Sequence, residues 1–299
     1  MARALLITNP VAARTKVGRT AAVSRVFRAA RWQVDLAETV GPGDARRLAV
    51  LGVASGVDAV VVFGGDGTTM QAAAALIGTE VPLGLIPGGT GNLLAGNLRI
   101  SSRPVLAAQT VTRGHCRRID LGRLERADGV HYFAVGCGAG ADARVMGETR
   151  AAAKRRWGLG GYVATLLKAL PEIRSSRCEI TVDGRRFEAP AAVTLVLNCG
   201  EVIPPVLRVG ADVALDDGML DLIALAADTP WQCIRGVWRV LQNVVLGTGP
   251  TAYLASARGC EITIVSEQVQ PVQFDGDVAG TTPVTVTVAP GALRVMVPA

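Results

Sequence analysis

Apolar residues change rhythm partway along the chain. In the first third, short runs alternate with longer stretches of helical period. Ala4–Thr8, Gln33–Glu38, Val60–Phe63 and Pro82–Pro87 read as strands. Between them, Thr20–Trp32 has Arg on its outer face, Asp44 caps a stretch running to about Leu51, and Met70–Ile77 is rich in Ala. These three read as helices. Strands alternating with helices predict parallel βαβ units with right-handed crossovers. After about residue 115 a period of two takes over. Arg118–Leu124, Tyr132–Gly136, Cys178–Val182, Val193–Asn198, Leu220–Leu225, Cys260–Val265 and Val284–Val288 read as strands. Asp183-Gly184, Asp217-Gly218 and Asp275-Gly276 are hairpin-type dipeptides. Together they predict an antiparallel sandwich. Two helical stretches interrupt it: Tyr162–Leu170, preceded by Lys154-Arg155-Arg156-Trp157, and Trp231–Leu246. Leu293–Val297 is a last strand, which returns to the first domain.

The strand at Val60 ends in Gly64-Gly65-Asp66-Gly67-Thr68, and a helix follows. Strand, glycine turn and helix offer backbone N–H groups to a phosphate. Glycine lets the main chain approach where a Cβ would not fit. A second turn, Gly88-Gly89-Thr90-Gly91-Asn92, follows the strand ending at Pro87. Parallel sheets bind ligands beyond the carboxyl ends of their strands. Asn9, Thr39, the Asp66 turn and the Thr90 turn all fall at such ends. Asp66 places a carboxylate where phosphate should be welcome. Either a Mg²⁺ sits between them or Asp66 handles a proton. No Gly-Lys-Ser/Thr follows, so the turn is not a Walker A loop.

Composition narrows the class. Hydrophobic residues make up 49% and aromatics 4%, so the core is built from Ala, Val and Leu. The net charge of +6 fits either solvated Arg-rich faces or attraction to an anionic surface. No nucleic-acid-binding motif accompanies it, so no nucleic-acid partner is expected. Cys116, Cys137, Cys178, Cys199, Cys233 and Cys260 form no C-x-x-C pair and read as reduced, buried thiols of a cytosolic protein. The N-terminus enters a strand directly, so a signal peptide is not expected. No apolar run reaches the length of a spanning helix. His115 and His131 are isolated and read as ordinary residues.

The motifs, in order, resemble those of the diacylglycerol/sphingosine-type lipid kinases in their soluble bacterial form. They are Asn9-Pro10, Thr39, Gly64–Thr68, Pro87-x-Gly-Thr-Gly-Asn92, Asp216-Asp-Gly-Met-Leu-Asp221 and Phe274-Asp-Gly-Asp277. Gly136-Cys-Gly-Ala-Gly140 resembles the family's glycine-rich turn. The resemblance implies an ATP-dependent kinase of fold class α/β plus β. A Rossmann-like nucleotide-binding domain over 1–117, completed by 289–299, precedes an antiparallel β-sandwich lipid-substrate domain over 118–288, with the nucleotide in the cleft between the two. It implies nucleotide binding by Asn9, Thr39, Gly64, Gly65, Asp66, Gly67, Thr68, Thr69, Met70 and Thr90. It implies catalysis by Asp277 as base, supported by Asp275, with Asp66 on Mg²⁺ or the proton. A structural Mg²⁺ would be held by Asp217 and the carbonyls of Ala214 and Met219.

Three positions depart from the family pattern. Gln71 stands where Glu is usual, Leu93 where Asp is common, and Asp277 where Glu is usual. The last shortens the acid by roughly 1.5 Å. The implied partner is a lipid at a membrane surface, met by a cytoplasmic protein transiently at the inner face. Lys154–Trp157 would dock on anionic lipid, unless it is simply a solvated helix end. Two other readings share part of this pattern: an NAD kinase, which has a similar Gly-Gly-Asp-Gly-Thr turn, and a nucleotide-binding regulatory protein without catalysis. Asn9-Pro10 and Pro87–Asn92 favour the lipid kinase. No short motif encodes which lipid hydroxyl is used or the oligomeric state.

Overall fold

The computed structural model describes residues 1–126, 129–140, 175–203, 207–208, 214–229, 231–232, 254–275 and 277–299. They fall into two compact units, Met1–Ile119 with Gly291–Ala299, and Asp120–Pro290.

The first unit runs β1 (Arg3–Thr8), α1 (Val17–Ala29), β2 (Gln33–Glu38), α2 (Asp44–Ala54), β3 (Ala59–Gly64), α3 (Asp66–Leu76), β4 (Leu83–Pro87), α4 (Leu93–Asn97) and α5 (Pro104–Arg113). Its sheet has the order β2-β1-β3-β4, all parallel. The last strand, β18 (Val284–Val297), adds Val295 beside Leu83, also parallel. Every residue of β3 is buried, as the unbroken run Ala-Val-Val-Val-Phe-Gly requires of a central strand. Helix α2 packs on α3, and α1 on α5. Right-handed crossovers put α1 on the face opposite α2 and α3. The chain leaves β1 towards β2 and then resumes at β3 on the other side of β1. The carboxyl ends of β1 and β3 therefore flank the switch point where such sheets bind ligands.

Helix α3 starts four residues earlier than the Ala-rich stretch suggests. Gly65 is its extended N-cap, so Asp66, Gly67 and Thr68 form its first turn. Asp44 is the first residue of α2, not its cap, which is Gly43 in the left-handed region (φ 81°).

Beside the last strand, Glu80 lies between two arginines. Its Oε1 is 2.6 Å from Arg118 Nη2 and its Oε2 is 2.5 Å from Arg294 Nη1. Arg118 first, and then Arg294, holds the Glu80 carboxyl below its ordinary value of 4.5. A lowered carboxyl stabilises the fold above its unfolded value and loses that contribution as pH falls through its folded value. Protection of the 293–297 amides from hydrogen exchange should therefore fall as pH drops below 4.5. Glu80→Gln should remove that pH dependence. A variant and wild type with the same pH profile would mean that the Glu80 carboxylate does not anchor the strand.

The strands of the second unit are β5 (His115–Arg126, which begins in the first unit), β6 (Gly129–Phe133), β7 (Gly136–Gly140), β8 (Ser176–Val182), β9 (Arg185–Ala191), β10 (Val193–Leu197), β11 (Glu201–Ile203), β12 (Leu207–Arg208), β13 (Leu220–Leu225), β14 (Leu254–Gly259), β15 (Glu261–Ser266), β16 (Pro271–Phe274), β17 (Asp277–Thr281) and the first part of β18. The following strand ladders among the described residues are antiparallel: β7 with β10 and β16, β13 with β10 and β14, β15 with β8 and β18, β5 with β6, β8 with β9 and β16 with β17. One sheet runs β14-β13-β10-β7-β16-β17. The other runs β18-β15-β8-β9, with β5 pairing β18 and β6. Strands β11 and β12 form a small separate ladder. Alternate residues of both sheets share one core. Cys137, Ala139, Val196, Leu220 and Leu222 face Ile180, Ile262, Ile264 and Val286. This is the predicted sandwich.

The structure corrects several expectations. Gly136–Gly140 is strand β7, not a turn, because β10 and β16 pair with it on both sides. The two stretches 284–288 and 293–297 are one strand, β18. Cys116 and Cys260 are exposed, while Cys137, Cys178 and Cys199 are buried. Asp183 (φ 46°) and Gly184 (φ 79°) form the tight turn joining β8 to β9, as the dipeptide predicts. Lys154–Trp157, Tyr162–Leu170 and the part of the 231–246 stretch after Gln232 lie outside the described residues. No helix among the described residues is long and apolar enough to cross a membrane.

Candidate active site

The carboxyl ends of β1, β3 and β4 are tied together by side chain and backbone. Asn9 N–H donates to the Phe63 carbonyl (3.1 Å), and its amide Nδ2 donates to Thr68 Oγ1 (2.8 Å). Asn9 therefore bridges the switch point. Thr15 Oγ1 donates to the Asn9 carbonyl, and Arg14 N–H to the Gly88 carbonyl (2.9 Å). Thr39 N–H donates to Thr8 O (2.9 Å), bringing the end of β2 alongside. Beyond Thr39, the loop is pinned at Val40 by the Asp44 carboxylate (3.0 Å) and at Gly43 by Gln71 Oε1 (3.0 Å). The Val40 amide first, then Arg47, holds the Asp44 carboxyl below its ordinary value. Gln71 keeps the acceptor that a Glu would supply here and loses only its charge.

The two glycine turns interlock. Gly88 N–H donates to Gly64 O at 2.7 Å. A Cβ on Gly89 would stand 2.7 Å from Gly65 Cα, closer than backbone allows. Asn92 takes the left-handed region (φ 52°) and folds its side chain onto Gly89, accepting from its N–H (2.9 Å) and donating to its carbonyl (2.8 Å). Asp66 then reaches across. Its Oδ2 accepts from Asn92 N–H and its Oδ1 from Leu93 N–H, both at 2.7 Å. Burial pushes the Asp66 carboxyl up, against the lowering effect of these amides. Each oxygen of Asp66 is thus committed to the second turn. This geometry suits a clamp between the two turns, beside the expected role of Asp66 on Mg²⁺ or the proton. The departure at Leu93 is used through its backbone. Gly64, Gly65, Asp66, Gly67, Thr68, Thr69 and Met70 all belong to this assembly, with Thr90 exposed at the tip of the second turn. Asn92, Gly89, Asp44 and Gln71 were not among the predicted site residues. An Asn ending a Gly-Thr-Gly run before a helix was the available signal for the first.

In the second unit, Asp275 lies in the left-handed region (φ 46°) and gathers three amides. It accepts from Ala134 (2.8 Å), Val135 (2.9 Å) and Gly136 (3.1 Å). It staples the β6–β7 turn to the β16–β17 hairpin. The backbone of Asp277 opens β17 opposite Phe274. The ring of His131 lies 5.5 Å from that of Phe274, a neighbour the sequence did not signal.

The predicted Mg²⁺ ligands do not fit a metal. Asp217 Oδ1 accepts from Met219 N–H (3.0 Å), and Oδ2 accepts from Ala214 N–H (3.2 Å) and from the Arg258 guanidinium. The residues whose carbonyls were to share a cation with Asp217 turn their N–H groups to it. Among the described residues, no group of three or more His, Cys, Asp and Glu could hold a metal ion.

Residues 3–124 match the model of the diacylglycerol kinase catalytic domain, and residues 136–297 that of the YegS C-terminal NAD kinase beta sandwich-like domain. The diacylglycerol kinase of Mycobacterium tuberculosis (strain CDC 1551 / Oshkosh) is 30% identical over 98% of this chain and 94% of its own. The chain belongs to the diacylglycerol kinase family. It is a lipid kinase. The diacylglycerol kinase of Bacillus subtilis (strain 168) is 29% identical over 95% of this lipid kinase and 92% of its own length. A solved structure of a Bacillus anthracis str. Sterne diacylglycerol kinase superimposes with a TM-score of 0.75 over 99% of this chain and 96% of that one. At 22% identity, that likeness speaks to the fold alone. In this lipid kinase the glycine-turn assembly lies within the catalytic-domain match, and the Asp275 staple within the sandwich match.

Proposed function

We propose that this lipid kinase transfers the γ-phosphate of ATP to the primary hydroxyl of diacylglycerol. The observation that carries the reading is the pair of interlocked glycine turns at the switch point. They fix backbone amides at the first turn of α3, where a helix N-terminus favours phosphate. Phosphoryl transfer asks a protein mainly for position and charge compensation. In this reading, Asp277 accepts the hydroxyl proton as the lipid oxygen forms its bond to the γ-phosphorus. The bond from that phosphorus to the β,γ-bridging oxygen breaks, and ADP leaves. A divalent cation travelling with the triphosphate would neutralise charge, and we assign it no ligand on this chain.

The acceptor's apolar body confines the reaction to a bilayer or micelle surface. Docking there is assigned to Lys154–Trp157, on the inner face of a membrane. The matched NAD kinase-like sandwich keeps NAD as a second acceptor to be tested. The experiment supplies γ-labelled ATP with diacylglycerol, a sphingoid base, ceramide, a glycerophospholipid or NAD in separate reactions. Label is expected in the phosphate monoester of diacylglycerol. Label in NAD alone would overturn the reading in favour of an NAD kinase. Nucleotide binding without transfer to any acceptor would make the chain a regulatory protein.

A further inference from the structure

The turn before β13 offers a different solution to a problem that the family resemblance assigns to a metal. Asp217 and Asp221 lie close together at the start of β13, and both are partly buried, with side-chain exposures of 24% and 23%. Two neighbouring carboxylates in such a place repel each other, and a cation between them relieves that repulsion. The antiparallel register sets Arg258 of β14 directly opposite Asp221. Its guanidinium pairs with Asp217 Oδ2, and its Nε lies 3.6 Å from Asp221 Oδ2.

We infer that in this chain the Arg258 guanidinium takes the place of a structural divalent cation, so that the 214–219 turn holds its shape without metal. Three amides of the turn are already given to carboxylates of the protein. Ala214 and Met219 give their amides to Asp217. Gly218, in the left-handed region, gives its amide to the buried Asp120 carboxylate at 2.7 Å. Leu215 carbonyl accepts from Asp120 N–H at 2.6 Å. A Mg²⁺ ligated to Asp217 would sit about 2.0–2.1 Å from its oxygen. It would then stand against a guanidinium held by the same carboxylate and against two amide hydrogens. Like charges at that range repel strongly in a partly buried site. Arg also suits the role because its planar fork can meet two acids at once.

The inference takes from the family resemblance only the expectation of a metal, and its test does not depend on kinase activity. Thermal unfolding of the nucleotide-free full chain is followed in EDTA and in millimolar Mg²⁺. Wild type should give the same midpoint in both. Arg258→Ala should lower the EDTA midpoint by about 2–4 °C and regain part of it in Mg²⁺, as the vacated acids accept the ion. Arg258→Lys should keep most of the wild-type midpoint. A wild-type midpoint that rises in Mg²⁺, with the rise lost in Asp217→Asn, overturns the inference. So does an Arg258→Ala midpoint equal to wild type. If Arg258→Ala does not fold, the comparison of wild type with Asp217→Asn decides alone.

Discussion

Gly89→Ala should cost this lipid kinase about 10²-fold in kcat/KM and weaken nucleotide binding, while the fold survives. The added methyl would lie 2.7 Å from Gly65 Cα, so one backbone must move away from the other. No flexible side chain is available to yield. The displacement is on the order of 1 Å, the scale at which positioning errors become costly. Asp66→Asn should fail in the same manner. An Asn has one acceptor for two backbone donors and turns its NH₂ towards the other. A buried donor left unsatisfied costs about 1–3 kcal/mol, and the second turn should swing away to find water. The pair separates two roles for Asp66. If it is a clamp, both variants lose nucleotide affinity together with turnover. If it is a base, Asp66→Asn keeps wild-type affinity for ATP, measured by calorimetry, and loses only the chemical step.

Asp277→Asn should lower kcat by about 10²–10⁴-fold with nucleotide binding intact. The substitution preserves size and removes basicity. Asp275, which gathers the three amides of the 134–136 turn, should hold the hairpin in place, so the loss would be chemical. Asp275→Asn should behave differently and loosen the hairpin itself, visible as lost thermal stability. Near-normal turnover in Asp277→Asn would remove the proposed base. Asp277→Glu restores the longer acid usual in the family. A fall in its rate would mean that the hairpin is already aimed for the shorter side chain.

Some of this molecule is legible in its residues and some is not. The run Val60–Phe63 admits only a strand buried on both faces, and β3 is one. The start of α3 was misplaced because Gly67, Thr68 and Thr69 are poor helix formers. Tertiary contacts override that propensity, with Asn9 holding Thr68 from the neighbouring strand end. Gly136–Gly140 has the composition of a turn, and its partners on both sides make it a strand. Pro290-Gly291 reads as a stop, yet β18 continues through it. The convergence of Asn9, Thr39 and the two glycine turns follows from the alternation of strands and helices, which sets them at the carboxyl ends of parallel strands. The mutual grip of those turns did not, since it runs from a carboxylate to amides 26 and 27 residues later. Asp216-Asp-Gly-Met219 carries no local sign of Arg258. Only the register of β13 on β14 brings that guanidinium to it.

Strand β4 has β3 on one flank and the residues around Val295 on the other. A ribosome delivers that second neighbour long after β4 itself. Until it arrives, the outer row of β4 peptide groups is an open template for pairing with another chain. Deleting residues 291–299 would make that nascent hazard permanent. Such a truncation would more readily precipitate than persist as an inactive monomer.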